Sequence, residues 1–258
     1  MSKEPPAIVA GFRPEYLDFE RGIHVGNLEE HQRITRILKL ALEARYQQPF
    51  VTERWGRGVF WQWIGFLVRA NRAAMPLSSG VSFGCSKFYL TVDRDTRIFQ
   101  CGLQIERGYV TASRELSQFQ LQDDWDWNRL LKALQPRGEM ERELTRLLAD
   151  GFLLHAGGWD GASFDYSRAD FPGASKLRRQ LQAAAKDRWV GFQVYFPMSE
   201  SEVRAASGLD LVESMLAVFD EVAPLMNLCM LTKALLSLYR VGPVSYDFSA
   251  TRNALRVI

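Results

Sequence analysis

The residues best placed by type and spacing to do chemistry lie in one short segment, Leu154-His155-Ala156-Gly157-Gly158-Trp159-Asp160-Gly161-Ala162-Ser163-Phe164-Asp165. A histidine that ends a strand and meets carboxylates across a flexible loop is a minimal acid–base unit, because the carboxylate fixes the orientation of the imidazole. His155, Asp160 and Asp165 are therefore the catalytic candidates, and with Asp170 they also offer nitrogen and oxygen donors to a metal. The spacing matches no specific ligand motif, and the Gly-Gly-Trp-Asp-Gly stretch serves equally well as a tight turn with its tryptophan packed down. A structural loop is the favoured expectation here, with no metal and no cofactor.

A second set of residues suits binding. Between Trp55 and Tyr109 the chain carries Phe60, Trp61, Trp63, Phe66, Phe83, Phe88, Tyr89 and Phe99, interleaved with Arg54, Arg57, Arg69, Arg72, Lys87, Arg94, Arg97 and Arg107. Rings and guanidinium groups so mixed either build a sheet whose polar tips reach the surface or present a face that grips a partner. Trp61, Trp63, Arg54, Arg57 and Arg69 are the binding candidates from this block. Lys176, Arg178 and Arg179 join them from a basic amphipathic stretch at 174–188, which with the aromatic block would suit nucleic acid. The plain alternatives are a solvated helix face and a buried sheet with arginine stems lying over rings.

Other chemistries find less support. Cys85 sits in Ser-Phe-Gly-Cys-Ser-Lys-Phe, where Lys87 would favour a thiolate, but its strand face also carries Val81, Phe83 and Tyr89, which marks a small core residue. Trp55-Gly56-Arg57-Gly58 leads into a strand-like run instead of a helix, so the amide cradle of a phosphate loop is missing. Asp93 and Asp95 flank a hairpin tip without the carboxylate and lysine partners that a metal-dependent nuclease would need.

The elements that must position these groups follow from periodicity. With 258 residues, 47% of them hydrophobic, the chain can bury a large core as one domain over 1–258. Prolines and glycines through 1–26 suggest an extended arm packed on the surface. Asn27 with Glu30 reads as a helix start, and the stripe Ile34, Leu38, Ala41, Leu42 carries a helix to about Tyr46 before Pro49. Strands are expected at 58–69, 81–92 and 97–105 as an antiparallel meander, then at 152–156, 164–166 and 189–196. Helices are expected after Asp123-Asp124, at 139–150 before Gly151, at 174–187 and after a Ser199/Glu202 capping box. From Leu209 the apolar residues step by three and four on two adjacent stripes, so a long apolar helix near the C-terminus should fill the core, with Pro224 kinking or dividing it.

The predicted class is α+β: a mostly antiparallel sheet packed against helices. Three well-separated cysteines do not form a disulfide framework, and the first residues lack the apolar run of a secretory signal, which together point to a cytoplasmic protein. The apolar stretch 222–239 is interrupted by Pro224, Asn227, Thr232 and Lys233, so no membrane span is expected. A net charge of +2 excludes a polybasic protein by composition. The functional expectation is a binding or accessory protein, more a binder than an enzyme, that works through a protein partner or self-association. A nucleic-acid binder using 174–188 and the aromatic sheet, and a hydrolase using the His155, Asp160 and Asp165 loop, are the alternatives.

Overall fold

The computed structural model describes residues 11–75, 82–158, 162–232 and 235. Trp159 and Asp160, Val81 of the second expected strand and the chain after 235 lie outside these residues, as do the first ten.

The fold is α+β, organised among the described residues on a nine-stranded sheet in which every named strand pair is antiparallel. Its strands are β1 (Leu17–Asp18), β2 (Gly22–His24), β3 (Phe50–Arg57), β4 (Phe60–Val68), β5 (Lys87–Asp93), β6 (Ile98–Arg107), β7 (Leu153–Gly158), β8 (Ser163–Tyr166) and β9 (Val190–Ser199). The main path runs β4-β5-β6-β9-β7-β8, with β3 along one side of β4 and β2 sharing the other side with β5. Helices α1 (Ile34–Tyr46), α3 (Asp126–Ala133), α4 (Glu139–Ala149), α5 (Ala174–Ala183), α6 (Glu200–Ala205) and α7 (Gly208–Cys229) contribute to one continuous core, while the short α2 (Arg69–Ala73) follows β4.

The pleat explains which face is covered. Ile64, Phe66 and Val68 of β4, Phe88, Leu90 and Val92 of β5, Phe99, Cys101, Leu103 and Ile105 of β6, and Phe192 and Val194 of β9 all enter the main core. The 22 residues of α7 lie against this face, with Phe219 stacked on Phe88 at a centroid distance of 4.7 Å. Pro224 lies inside α7 without dividing it. Ser207 and Asp210 form the capping box that starts it, and Ser199 with Glu202 caps α6 in the same way.

Four local expectations change. Part of the segment expected as a surface arm is the β1/β2 hairpin, held in place because Phe12, Leu17, Phe19, Ile23 and Val25 are buried. Asn27 takes a left-handed conformation with φ 58° instead of capping a helix, and α1 starts only at Ile34 after a single 3-10 turn. The chain before Lys87 is a 3-10 turn and not a strand, since Gly84 is pressed on the Trp125 ring and the Ser86 amide donates to Asp126 at 2.6 Å. Helix α5 ends at Ala183, because Arg107 holds the carbonyls of Ala184, Ala185 and Arg188 in a loop and Lys186 is bonded by the Val110 amide. Among the described residues no helix is long and apolar enough to cross a membrane.

Candidate functional site

Register on the face away from the helices brings polar residues into one row. Lys87 opposes Gln104, Gln104 opposes Gln193, Gln193 opposes His155, and His155 opposes Asp165, so five strands each place one polar residue side by side. Directly opposed residues share a face, and this is why His155 Nδ1 meets Asp165 Oδ1 at 2.7 Å. The contact joins two of the three catalytic candidates, with Asp165 largely exposed and His155 mostly covered. Asp160 lies outside the described residues. Two residues along β9 from Gln193, the Tyr195 phenol is pushed up to about 12, first by burial and then by the charges of Asp165 and Asp93. A neutral phenol and the amide of Gln193 are not activated nucleophiles at neutral pH.

The rest of the row is locked. Gln104 Oε1 accepts from Trp63 Nε1 at 2.8 Å and from Gln193 Nε2 at 3.0 Å, and the Trp63 ring lies on Gly65, whose missing side chain leaves room for it. The fully buried Lys87 donates to Glu106 at 2.7 Å and lies 3.8 Å from Glu53, with the Trp63 and Phe83 rings at 5.5 and 5.7 Å. Burial alone would lower its pKa, but Glu106 and Glu53 outweigh burial and the net shift is upward. Trp63, a predicted binding residue, therefore braces the sheet. Cys85 behaves as a core residue: burial and then the nearby Asp126 push its thiol up to about 12, against a smaller opposing effect of Lys87. Among the described residues no group of three or more His, Cys, Asp or Glu side chains could hold a metal.

On the helix side, a cleft of about 330 Å³ opens between α1 and β3. It is lined by Glu30, Arg33, Thr35, Arg36 and Lys39 from α1 and the turn before it, by Thr52, Glu53 and Arg54 of β3, and by Trp61 of β4. Local chemistry puts α1 there. Gln47 ends the helix in a left-handed turn with φ 52°, and Glu43 accepts the Phe50 amide at 3.0 Å, so β3 starts directly beneath the helix it follows. The far end of α1 is fixed to α7 by Tyr46, whose hydroxyl donates to Asp220 Oδ1 at 2.6 Å beside Arg45. Within the cleft the Arg54 guanidinium lies 4.3 Å from the Trp61 ring centre, and the two were both predicted to bind.

The other sequence candidates are dispersed. Arg57 is exposed at the end of β3 and Arg69 is exposed at the start of α2. Lys176 and Arg179 are exposed on α5, with Arg178 partly covered. The structure adds Arg33, at the turn before α1, and Arg36 and Lys39 of α1 itself, for which the sequence carries no signal because an apolar stripe marks only the buried side of a helix. It also adds β3 itself, whose signal was the alternation Phe50, Thr52, Arg54 against Val51, Glu53, Trp55 ahead of Gly56 and Gly58. No protein-family model, curated protein or solved structure matches the chain.

Proposed function

We propose that this is a binding protein that acts through contact with another protein, and that the cleft between α1 and β3 is its recognition surface. The carrying observation is the cleft's charge and shape: Arg33, Arg36, Lys39 and Arg54 with Glu30 as the facing acid, the Glu53 carboxylate being turned to Lys87 on the other face, and Arg54 stacked on Trp61. Arginine on an aromatic floor is the chemistry of interface anchors, since a flat, weakly hydrated cation loses little on desolvation. The surface beside it holds Trp55, 74% exposed, a large ring that gains most from being covered. The reading places the protein in the cytoplasm as a single domain, which three free buried cysteines and one continuous main core support.

The test is selection from a displayed library of protein fragments, folded domains and unstructured segments alike, against the full chain and its Arg36→Glu/Arg54→Glu variant. Binders that lose the variant are expected; a selection in which every binder holds the variant equally well sinks the reading.

The 2.7 Å contact between His155 and Asp165 favours a hydrolase as second reading. Turnover of a chromogenic ester or amide that disappears in both His155→Ala and Asp165→Ala, with the fold intact, would promote it above the binding reading.

A further inference from the structure

We propose that the partner enters the cleft as an extended segment that pairs with β3 as an added strand and carries acidic side chains at alternate positions. This rests on the protein-binding reading above and specifies its partner.

The free edge is the first support. β3 pairs only with β4, so among the described residues no strand lies on its other side. The phase of that edge is fixed by the Phe50 amide, which donates to Glu43 and therefore points away from β4. Backbone direction alternates along a strand, so Thr52 and Arg54 also turn their N–H and C=O groups outward, while Val51 and Glu53 face β4. Consecutive side chains point to opposite faces, yet Thr52, Glu53 and Arg54 all line the cleft, as they do when the strand's edge forms its wall. The register shift between Trp55 and Gly56 ends the regular edge, leaving room for a short paired segment.

Charge supplies the partner's pattern. Thr52 and Arg54 lie on the α1 side, so every second residue of an added strand would face Arg33, Arg36, Lys39 and Arg54, and acidic residues fit there. The residues between would face the side of Trp55, where apolar groups fit. A second copy of this chain pairing through β3 about a two-fold axis would set Arg54 against Arg54 or Glu53 against Glu53 in the registers centred on those residues, which disfavours self-association there. A nucleic-acid strand offers phosphates but no row of amides and carbonyls to match Thr52 and Arg54.

The probe is a capped nonapeptide of alternating Glu and Val, compared by fluorescence anisotropy with its Lys/Val counterpart and an oligothymidylate. The full chain should bind the acidic peptide about tenfold or more tighter than the basic one, and Arg36→Glu/Arg54→Glu should remove that preference. Amide exchange followed by NMR should slow at Thr52 and Arg54, beyond any change at Val51 and Glu53. Thr52→Pro, which deletes a donor only from the free edge, should weaken the peptide about fivefold with a similar melting temperature. Acidic-peptide binding without protection of those amides, or unaffected by Thr52→Pro, overturns strand pairing and leaves the protein-binding reading standing. Equal binding of the basic peptide, no peptide binding, or a dimer lost in Thr52→Pro overturns the acidic partner. Oligothymidylate binding in place of the peptide overturns both.

Discussion

Asp126 is fully buried at the first position of α3, where its Oδ2 accepts from Ser86 N and from Asn71 Nδ2 at 2.8 Å, while Asn71 Oδ1 accepts from Leu231 N at 2.8 Å. One carboxylate thus ties α2, the entry to β5, α3 and the chain after α7. Burial raises its pKa from 3.8 to about 6, against the lowering effects of the Ser86 and Asn71 hydrogen bonds and of Arg129. Because the folded value lies above the unfolded one, the folded state holds its proton more tightly, so stability falls as pH rises from about 4 through about 6 and then levels. The shift corresponds to roughly 3 kcal/mol. Asp126→Asn should flatten that part of the stability profile, which urea unfolding between these pH values will show. The Lys87 pair stays charged where Asp126 tends to neutralise. Glu106→Gln leaves a buried ammonium with only the more distant Glu53, and we expect a loss of about 3 kcal/mol in chemical denaturation. Since Lys87 titrates above its usual 10.5, the pair's contribution persists below that pH and is lost as pH rises past the folded value.

At the level of elements, the sheet depends on glycines where strands approach closely. A side chain at Gly102 of β6 would lie 2.0 Å from the Val194 carbonyl oxygen of β9, a backbone atom that cannot turn away. Gly102→Ala is therefore expected to destabilise the protein by about 3 kcal/mol or more, seen as a lower midpoint of cooperative unfolding. Gly65 differs, since what occupies its missing side chain is the Trp63 ring, which in turn reaches Gln104. The Trp63 ring is thus braced within the sheet. Trp61 and Arg54 fall on the other face, because the register shift at Trp55/Gly56 and the pleat separate neighbours in sequence. The basic stretch at 174–188 is likewise divided, with Lys176 and Arg179 on α5 and Lys186 in a loop bonded to Val110 and Thr111.

Over the whole molecule, charge is nearly balanced at +2, so attraction to an acidic partner must come from the local field of the cleft. Raising ionic strength from about 0.05 to about 0.5 M should weaken binding at the cleft severalfold by screening its exposed cations. The same change should leave the unfolding midpoint nearly unaltered, because the core and the Lys87 pair are buried; parallel titrations of affinity and stability will check this. Much of the architecture was legible in the sequence. The α+β class, the strands around Trp61, Phe99 and Phe192, the helices at 139–149 and 208–229, and the Ser199/Glu202 cap are written in apolar spacing and capping residues, which are local signals. His155 and Asp165 were legible as candidates on two short expected strands, and only the strand register shows that they oppose each other. Periodicity says which face of an element is buried and is silent on its neighbours. Pairing is a non-local interaction, so only the tertiary structure decided that Lys87, Gln104, Gln193 and His155 share a row, that β3 ends the sheet beside α1, and that cations from 33–39 and 54 meet over Trp61.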